Sequence, residues 1–178
     1  MVTIHDTPQN SDDWLKARIG KFTASNAIEL LKHGRVDRAR VVEKEFAGNQ
    51  WTRRGHDLEP FAVTAYEQVK EVSVKRPGYI TNDKYKDCLF SPDGLTDTHV
   101  IEIKCFNETR HHKVRKTIPP EILAQIHFGM IMAELSYAHL VLFNPDLEPK
   151  DALFIVSVKK DTRLTKRLIS LMKGGENE

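Results

Sequence analysis

An acid follows Ser91-Pro92 in the segment Ser91-Pro92-Asp93-Gly94-Leu95. A second acid, one spacer and a lysine follow shortly after, in Ile101-Glu102-Ile103-Lys104-Cys105. The second acid and the lysine lie inside an apolar run, Val100 to Phe106, that reads as a buried strand. Side chains alternate along a strand, so Glu102 and Lys104 share one face while Ile101, Ile103 and Cys105 take the other. Two carboxylates converging beside an ammonium make a site for a hard cation and a polarised water. That chemistry suits hydrolysis of a phosphodiester.

Each residue also has a plainer reading. Asp93 sits in a turn context, where Asp is common for local reasons. Glu102 and Lys104 would form an ordinary ion pair if the strand face were exposed. Their apolar setting speaks for a site, because a buried charge is costly unless it is paired or bound to metal. Glu59, in Arg54-Gly55-His56-Asp57-Leu58-Glu59, is either a further carboxylate or a solvated helix acid. Gln125, on an apolar helix, is a site amide or a satisfied one. Arg18 and Ser25 are candidate phosphate contacts, Ser25 at a helix N-terminus, or Ser25 is simply an N-cap.

Other chemistries lack support. There are eight histidines, but no HExxH or Cys/His spacing for zinc. Adjacent His111 and His112 cannot share a helix face. There is no Gly-rich phosphate loop and no nucleophile elbow. The 178 residues are expected to form one domain, with a frayed tail from Gly174 to Glu178. The net charge of +2 means that any nucleic-acid surface must be a local patch. Basic residues cluster at Lys32, Arg35, Arg38 and Arg40, at Arg53 and Arg54, and from His111 to Lys116. Cys88 and Cys105 read as core-filling thiols of a protein in a reducing cytoplasm. No apolar run reaches membrane-spanning length.

The elements that must position these residues follow from capping and periodicity. Ser11-Asp12-Asp13-Trp14 opens a short helix that ends at Arg18. Thr23-Ala24-Ser25 caps another, to about His33, and Gly34 stops it. Arg38 to Phe46 reads as a third. A longer helix runs from about Thr52 to Lys70 on a stripe of Leu58, Phe61, Ala62, Ala65, Tyr66 and Val69, interrupted by Pro60. Val72 to Lys75, Tyr79-Ile80 and Cys88 to Ser91 read as short strands. A polar, basic connection spans Asn107 to Thr117. Pro119-Pro120-Glu121 opens a helix. Strands are expected at His139 to Phe143 and Ala152 to Val158, and a last helix from Asp161. The class is α/β or α+β, a mixed sheet flanked by helices.

Taken in order, Trp14-x3-Arg18-x-Gly20-x2-Thr23-Ala24-Ser25, Arg54-Gly55-x3-Glu59, Ser91-Pro92-Asp93-Gly94, Glu102-Ile103-Lys104-Cys105 and Ala124-Gln125 resemble the phage lambda exonuclease family of viral recombination nucleases. The resemblance covers roughly residues 11 to 160. It implies a restriction-endonuclease-like core of the PD-(D/E)XK type. It also implies 5′→3′ degradation of linear double-stranded DNA with Mg²⁺, or Mn²⁺ in its place, leaving 3′ overhangs for phage recombination. Asp93, Glu102 and the backbone carbonyl of Ile103 would hold metal, with Glu59 as an outer or second-metal carboxylate. Lys104 would orient or activate the attacking water, and Gln125 would touch the nucleophile or the scissile end. Arg18, Ser25 and Ser91 would receive the 5′-phosphate. The resemblance further implies a ring-shaped homotrimer, a single-strand annealing protein as partner, and a phage or prophage protein acting in the bacterial cytoplasm. His127, where many members carry a second glutamine, and Pro60 depart from the pattern. An endonuclease or nickase of the same chemistry, and a non-catalytic DNA-binding recombination module, stay open as alternatives.

Overall fold

The computed structural model describes residues 1–34 and 50–174. Two sheets organise it. The first is an antiparallel pair, β1 (Val2–His5) and β2 (Tyr79–Asn82). The second has four strands: β3 (Gly94–Leu95), β4 (His99–Lys104), β5 (Tyr137–Phe143) and β6 (Leu153–Lys159), in that order. Among the described strands of this sheet only β4 and β5 pair in parallel. A parallel pair needs a crossover. It is made by helices α4 (Glu108–Lys116) and α5 (Pro120–Met132), which follow α1 (Asp12–Arg18), α2 (Ala27–His33) and α3 (Gln50–Lys70) in the chain. The short α6 (Pro149–Ala152) and the amphipathic α7 (Thr162–Met172) complete the mixed sheet flanked by helices.

Alternation along β4 holds as the sequence implies. Val100 joins the larger core with α5, α7, Ala138, Leu140 and Leu142. Ile101 and Ile103 join the opposite core with Ala62, Val63 and Tyr66 of α3 and with Val141. Helix α3 therefore covers one face of the sheet and α5 the other. Helix α3 runs unbroken through Pro60, although an interior proline removes a hydrogen bond and costs about 3 kcal/mol. Packing of Ala62, Val63 and Tyr66 against the sheet holds it. The buried stripe differs from the expected one: Phe61 and Val69 are exposed, because the helix is rotated to present Val63 inward.

Other boundaries are corrected. Between Asn107 and Thr117 the chain forms helix α4 rather than an open connection. Asn107 caps it by accepting from Arg110 N, and His111 and Val114 are buried on it. Val72–Lys75 makes one isolated bridge, Lys75 with Leu95, and Cys88–Ser91 makes two, Cys88 with Phe22 and Phe90 with Ile80. Pairing at these places does not extend beyond single bridges. Strand β1 carries no strong alternation and finds its place only by pairing with β2. The expected helix at Arg38–Phe46, the basic residues Arg35, Arg38 and Arg40, and residues 175–178 of the tail lie outside the described residues.

Candidate active site

The ladder between β3 and β4 is two pairs long, Gly94 with Ile101 and Leu95 with Val100. Its register brings Asp93, the next residue outward, level with Glu102. Beyond Ile101 the edge of β4 has no strand partner on that side among the described residues. The Ile103 N–H finds Asp93 Oδ2 instead, at 2.7 Å. A strand residue's N–H and C=O project to the same side, so the Ile103 carbonyl faces the same edge. Gly94 is required there: a Cβ would come within 2.4 Å of a Val74 methyl.

Lys104 donates from Nζ to Glu102 Oε1 at 2.6 Å. Glu102 is only 7% exposed, so the bond satisfies a carboxylate that water hardly reaches. Burial alone would lower the Lys104 ammonium, but Glu102 and Asp93 beside it win and hold it above its ordinary value. Burial pushes Asp93 well above the usual carboxylate range, and the negative charges of Glu102 and Glu59 push it further. Lys104 and the bond from Ile103 oppose that shift.

Glu59 reaches this pocket from α3, on the opposite face of the sheet from Glu102. Its carboxylate is held by the guanidinium of Arg76, through Nη2 to Oε1. His56 Nδ1 lies 3.9 Å from its other oxygen. The Cys105 thiol is pushed up to about 11, first by burial and then by Glu59 and Asp93. Neither cysteine is in a disulfide.

The oxygen set fits a hard cation. Among the described residues no three His, Cys, Asp or Glu side chains group closely enough to hold a metal by themselves. Mg²⁺ asks for less: one or two carboxylates, with waters and substrate phosphate completing its shell. Asp93, Glu102 and the Ile103 carbonyl meet that demand.

Gln125 lies on α5, over the face that carries Glu102. Its Oε1 is buried and has no hydrogen-bond partner among the described residues. His127 is two residues further on and turned into the core. Its Nδ1 bonds Leu123 O at 2.8 Å and its Nε2 accepts from Asp161 N at 2.9 Å. That role fastens α5 to the start of α7 and occupies both ring nitrogens.

A second polar group stands around Ser91, two residues before Asp93. Trp14 Nε1 and Arg18 Nη1 both donate to Ser91 Oγ, at 3.0 and 3.2 Å. The Arg18 guanidinium lies over the Trp14 ring, 4.3 Å from its centroid. A hydroxyl has two acceptor lone pairs and one proton. With both lone pairs used, Ser91 is left to act as a donor. Trp14 Nε1 also reaches Gly78 O at 3.1 Å, and Gln9 Nε2 bonds both Pro77 O and Pro92 O. The N-terminal segment thus ties the 77–78 turn to the 91–92 turn. Ser25 is exposed, in a 3₁₀ turn (Ala24–Asn26) ahead of α2. It is not the cap: Thr23 takes that position, through its backbone N–H and hydroxyl on Asn26 Oδ1. The structure therefore brings Arg18 and Ser91 together, and among the described residues links Ser25 to neither.

Residues 13–136 match the YqaJ-like viral recombinase domain. The chain belongs to the YqaJ-like viral recombinase family. Its structure is similar to an alkaline exonuclease, LHK-Exo from Laribacter hongkongensis, with a TM-score of 0.79 and 26% identity over 91% of this chain and 89% of that one. The complex of LHK-Exo with dAMP gives a TM-score of 0.80 at 26% identity, over 92% and 89%. A phage-related exonuclease from Haemophilus somnus 129PT shares the fold, with a TM-score of 0.60 and 14% identity over 89% and 94%. No curated protein matches the chain. The lambda-exonuclease-like resemblance and the mixed-sheet fold therefore hold.

Sequence reading missed three contributors in this YqaJ-like chain. Arg76 was hidden in a stretch read as strand and turn. Arg110 acts on the Lys104 charge and stacks over Phe106 at 4.3 Å. The signal for its helix was present: Asn107 as cap, Glu108 in the first turn, and Lys113, Arg115 and Lys116 in the last. Gln9 carries no sequence signal, because its partners are backbone carbonyls.

Proposed function

We propose that this protein is a metal-dependent deoxyribonuclease that degrades linear double-stranded DNA from a 5′-phosphorylated end and leaves 3′ single strands for recombination. The observation that carries the reading is Asp93 level with Glu102 at an open strand edge, with Ile103 anchoring the first acid and Lys104 bonded to the second. The 26% identity to an alkaline exonuclease over nearly the whole chain supports it.

Asp93, Glu102 and the Ile103 carbonyl would hold Mg²⁺, or Mn²⁺ in its place, with Glu59 as the outer carboxylate. The ion, when bound, supplies a polarised water and takes up negative charge at the phosphate. Lys104 stays protonated in this field and is placed to orient that water and to balance charge as phosphorus gains its fifth oxygen. The unpartnered Gln125 Oε1 is suited to accept from the water or from the scissile end. Arg18 and the Ser91 hydroxyl both donate, as recognition of a terminal phosphate requires. Ser25, whose hydroxyl is exposed, would join them only by donating to the phosphate oxygens of the bound end.

The family resemblance supports a homo-oligomer, a trimer in the lambda-type arrangement, and a single-strand annealing partner. Among the described residues no helix is long and apolar enough to cross a membrane, in keeping with action on DNA in the host cytoplasm.

The test is Mg²⁺-dependent digestion of linear duplex with 5′-phosphate or 5′-hydroxyl ends, beside the same DNA as a closed circle. Loss of the phosphorylated linear form, with 3′ strands left over, is expected. Nicking of the circle would make the protein an endonuclease instead. No cleavage with either Mg²⁺ or Mn²⁺ would make it a binding module.

A further inference from the structure

We propose that Arg76 is a built-in counter-cation for Glu59 that competes with a divalent ion for that carboxylate. The inference rests on the metal-dependent reading above. In the resting protein, a metal would load at Asp93 and Glu102, and a further one would engage Glu59 only when Arg76 lets go.

The two carboxylates that flank Asp93 are neutralised differently. Glu102 is paired with Lys104 from its own strand, and both side chains are largely buried, at 9% and 24% exposure. Glu59 is paired with Arg76 from a separate segment. The Glu59 side chain is 13% exposed and that of Arg76 41%. The acid therefore sits in the pocket while its cation arrives from the solvent side.

The backbone beneath Arg76 is held on both sides. Lys75 exchanges two hydrogen bonds with Leu95, each 2.8 Å, and Val74 N donates to Glu67 Oε1 at 2.7 Å. Pro77 follows, with its fixed φ. Only the long side chain is left to move. Arg76 Nε also points at the Asp93 carbonyl, at 3.4 Å. One guanidinium thus spans the α3 acid and the loop that carries the principal acid.

Both oxygens that Arg76 faces lie on residues assigned to metal. A guanidinium cannot lose its proton, so it yields only by swinging away. A divalent ion arriving at Glu59 meets both competition for the oxygen and repulsion from a fixed positive charge. Arg76 would thereby keep the outer carboxylate oriented, and weaken metal binding there until another anion, such as a DNA phosphate, draws the guanidinium off.

The experiment is calorimetric titration of the full chain with Mn²⁺ alone, without DNA, on wild type, Arg76→Ala, Arg76→Lys, Glu59→Gln, the double variant Arg76→Ala with Glu59→Gln, and Asp93→Asn, each checked for its melting transition. Arg76→Ala is expected to bind Mn²⁺ at the outer carboxylate at least tenfold more tightly than wild type. Arg76→Lys should fall between them, because an ammonium cannot span both oxygens. Glu59→Gln should abolish the gain in the double variant. An Arg76→Ala isotherm equal to or weaker than wild type overturns the proposal, and if that variant is unfolded Arg76→Lys decides in the same way. An isotherm unchanged by Asp93→Asn overturns the underlying metal reading as well, which separates the two failures.

Discussion

The Ile103 N–H donates to Asp93 Oδ2 at 2.7 Å, so the strand residue between Glu102 and Lys104 anchors the other acid of the site. The anchor needs an acceptor, whereas metal binding needs a charge. Asp93→Asn should keep the bond and the fold but lose cleavage by at least about a thousandfold. Asp93→Ala should in addition destabilise the protein by about 1–3 kcal/mol, because the N–H loses its partner. Urea melts of the two variants, beside their cleavage rates, check this. Equal stability would mean that water replaces the carboxylate.

Lys104→Ala should abolish cleavage by several orders of magnitude. It is not a silent change for the fold. Glu102 would be left buried without its partner, and breaking such a pair costs about 3–5 kcal/mol. Adding Glu102→Gln should recover much of that stability and none of the activity. Failure of the double variant to recover stability would show that the pair contributes little.

Trp14 should matter through one hydrogen atom. Trp14→Phe keeps a ring beneath Arg18 but removes the donor to Ser91 Oγ, freeing that hydroxyl to point elsewhere. The preference for 5′-phosphorylated over 5′-hydroxyl ends should fall about tenfold, the worth of one hydrogen bond. Arg18→Ala should remove most of the preference. Equal loss on both kinds of end, measured as kcat/KM, would take Arg18 out of phosphate recognition.

His139 should make the fold acid-sensitive. It is 7% exposed, shares a 2.7 Å hydrogen bond between Nδ1 and the buried Tyr66 hydroxyl, and is stacked on His99 at 4.2 Å. Burial, then the positive charges of His99 and Lys70, lower it from 6.5 to about 4. Between those values the unfolded chain takes up a proton that the folded one refuses. Stability is therefore full above about pH 6.5 and is lost as the pH falls toward 4, by about 2–3 kcal/mol. Urea midpoints at pH 7, 5.5 and 4.5 should fall more steeply in wild type than in His139→Asn. Parallel slopes would rule out this histidine as the cause.

Chemistry written into neighbouring residues was legible from the chain alone. The Glu102-x-Lys104 pair shares a face because strand side chains alternate, and that alternation needs nothing beyond the local backbone. Ser11, Asn107 and Asp161 could be read or missed as caps by local rules, and two of the three were read. The family followed from ordered motifs, since their spacing survives in the sequence whatever the fold does with them.

Only the tertiary structure decided what depends on meeting across space. Which side of α3 is buried was set by the sheet it lies on, so Phe61 and Val69 face outward although their spacing matches a core stripe. Strand β1 exists because β2 offers it a partner. His127 is a structural bond between two helices, which no local pattern distinguishes from a site residue. Arg76 meets Glu59 because bonds from Lys75 to Leu95 and from Val74 to Glu67 hold its segment beside α3, and Trp14 meets Ser91 because the N-terminal segment ties the 77–78 and 91–92 turns. Such contacts leave no periodic trace. They are paid for by the whole fold rather than by the residues on either side.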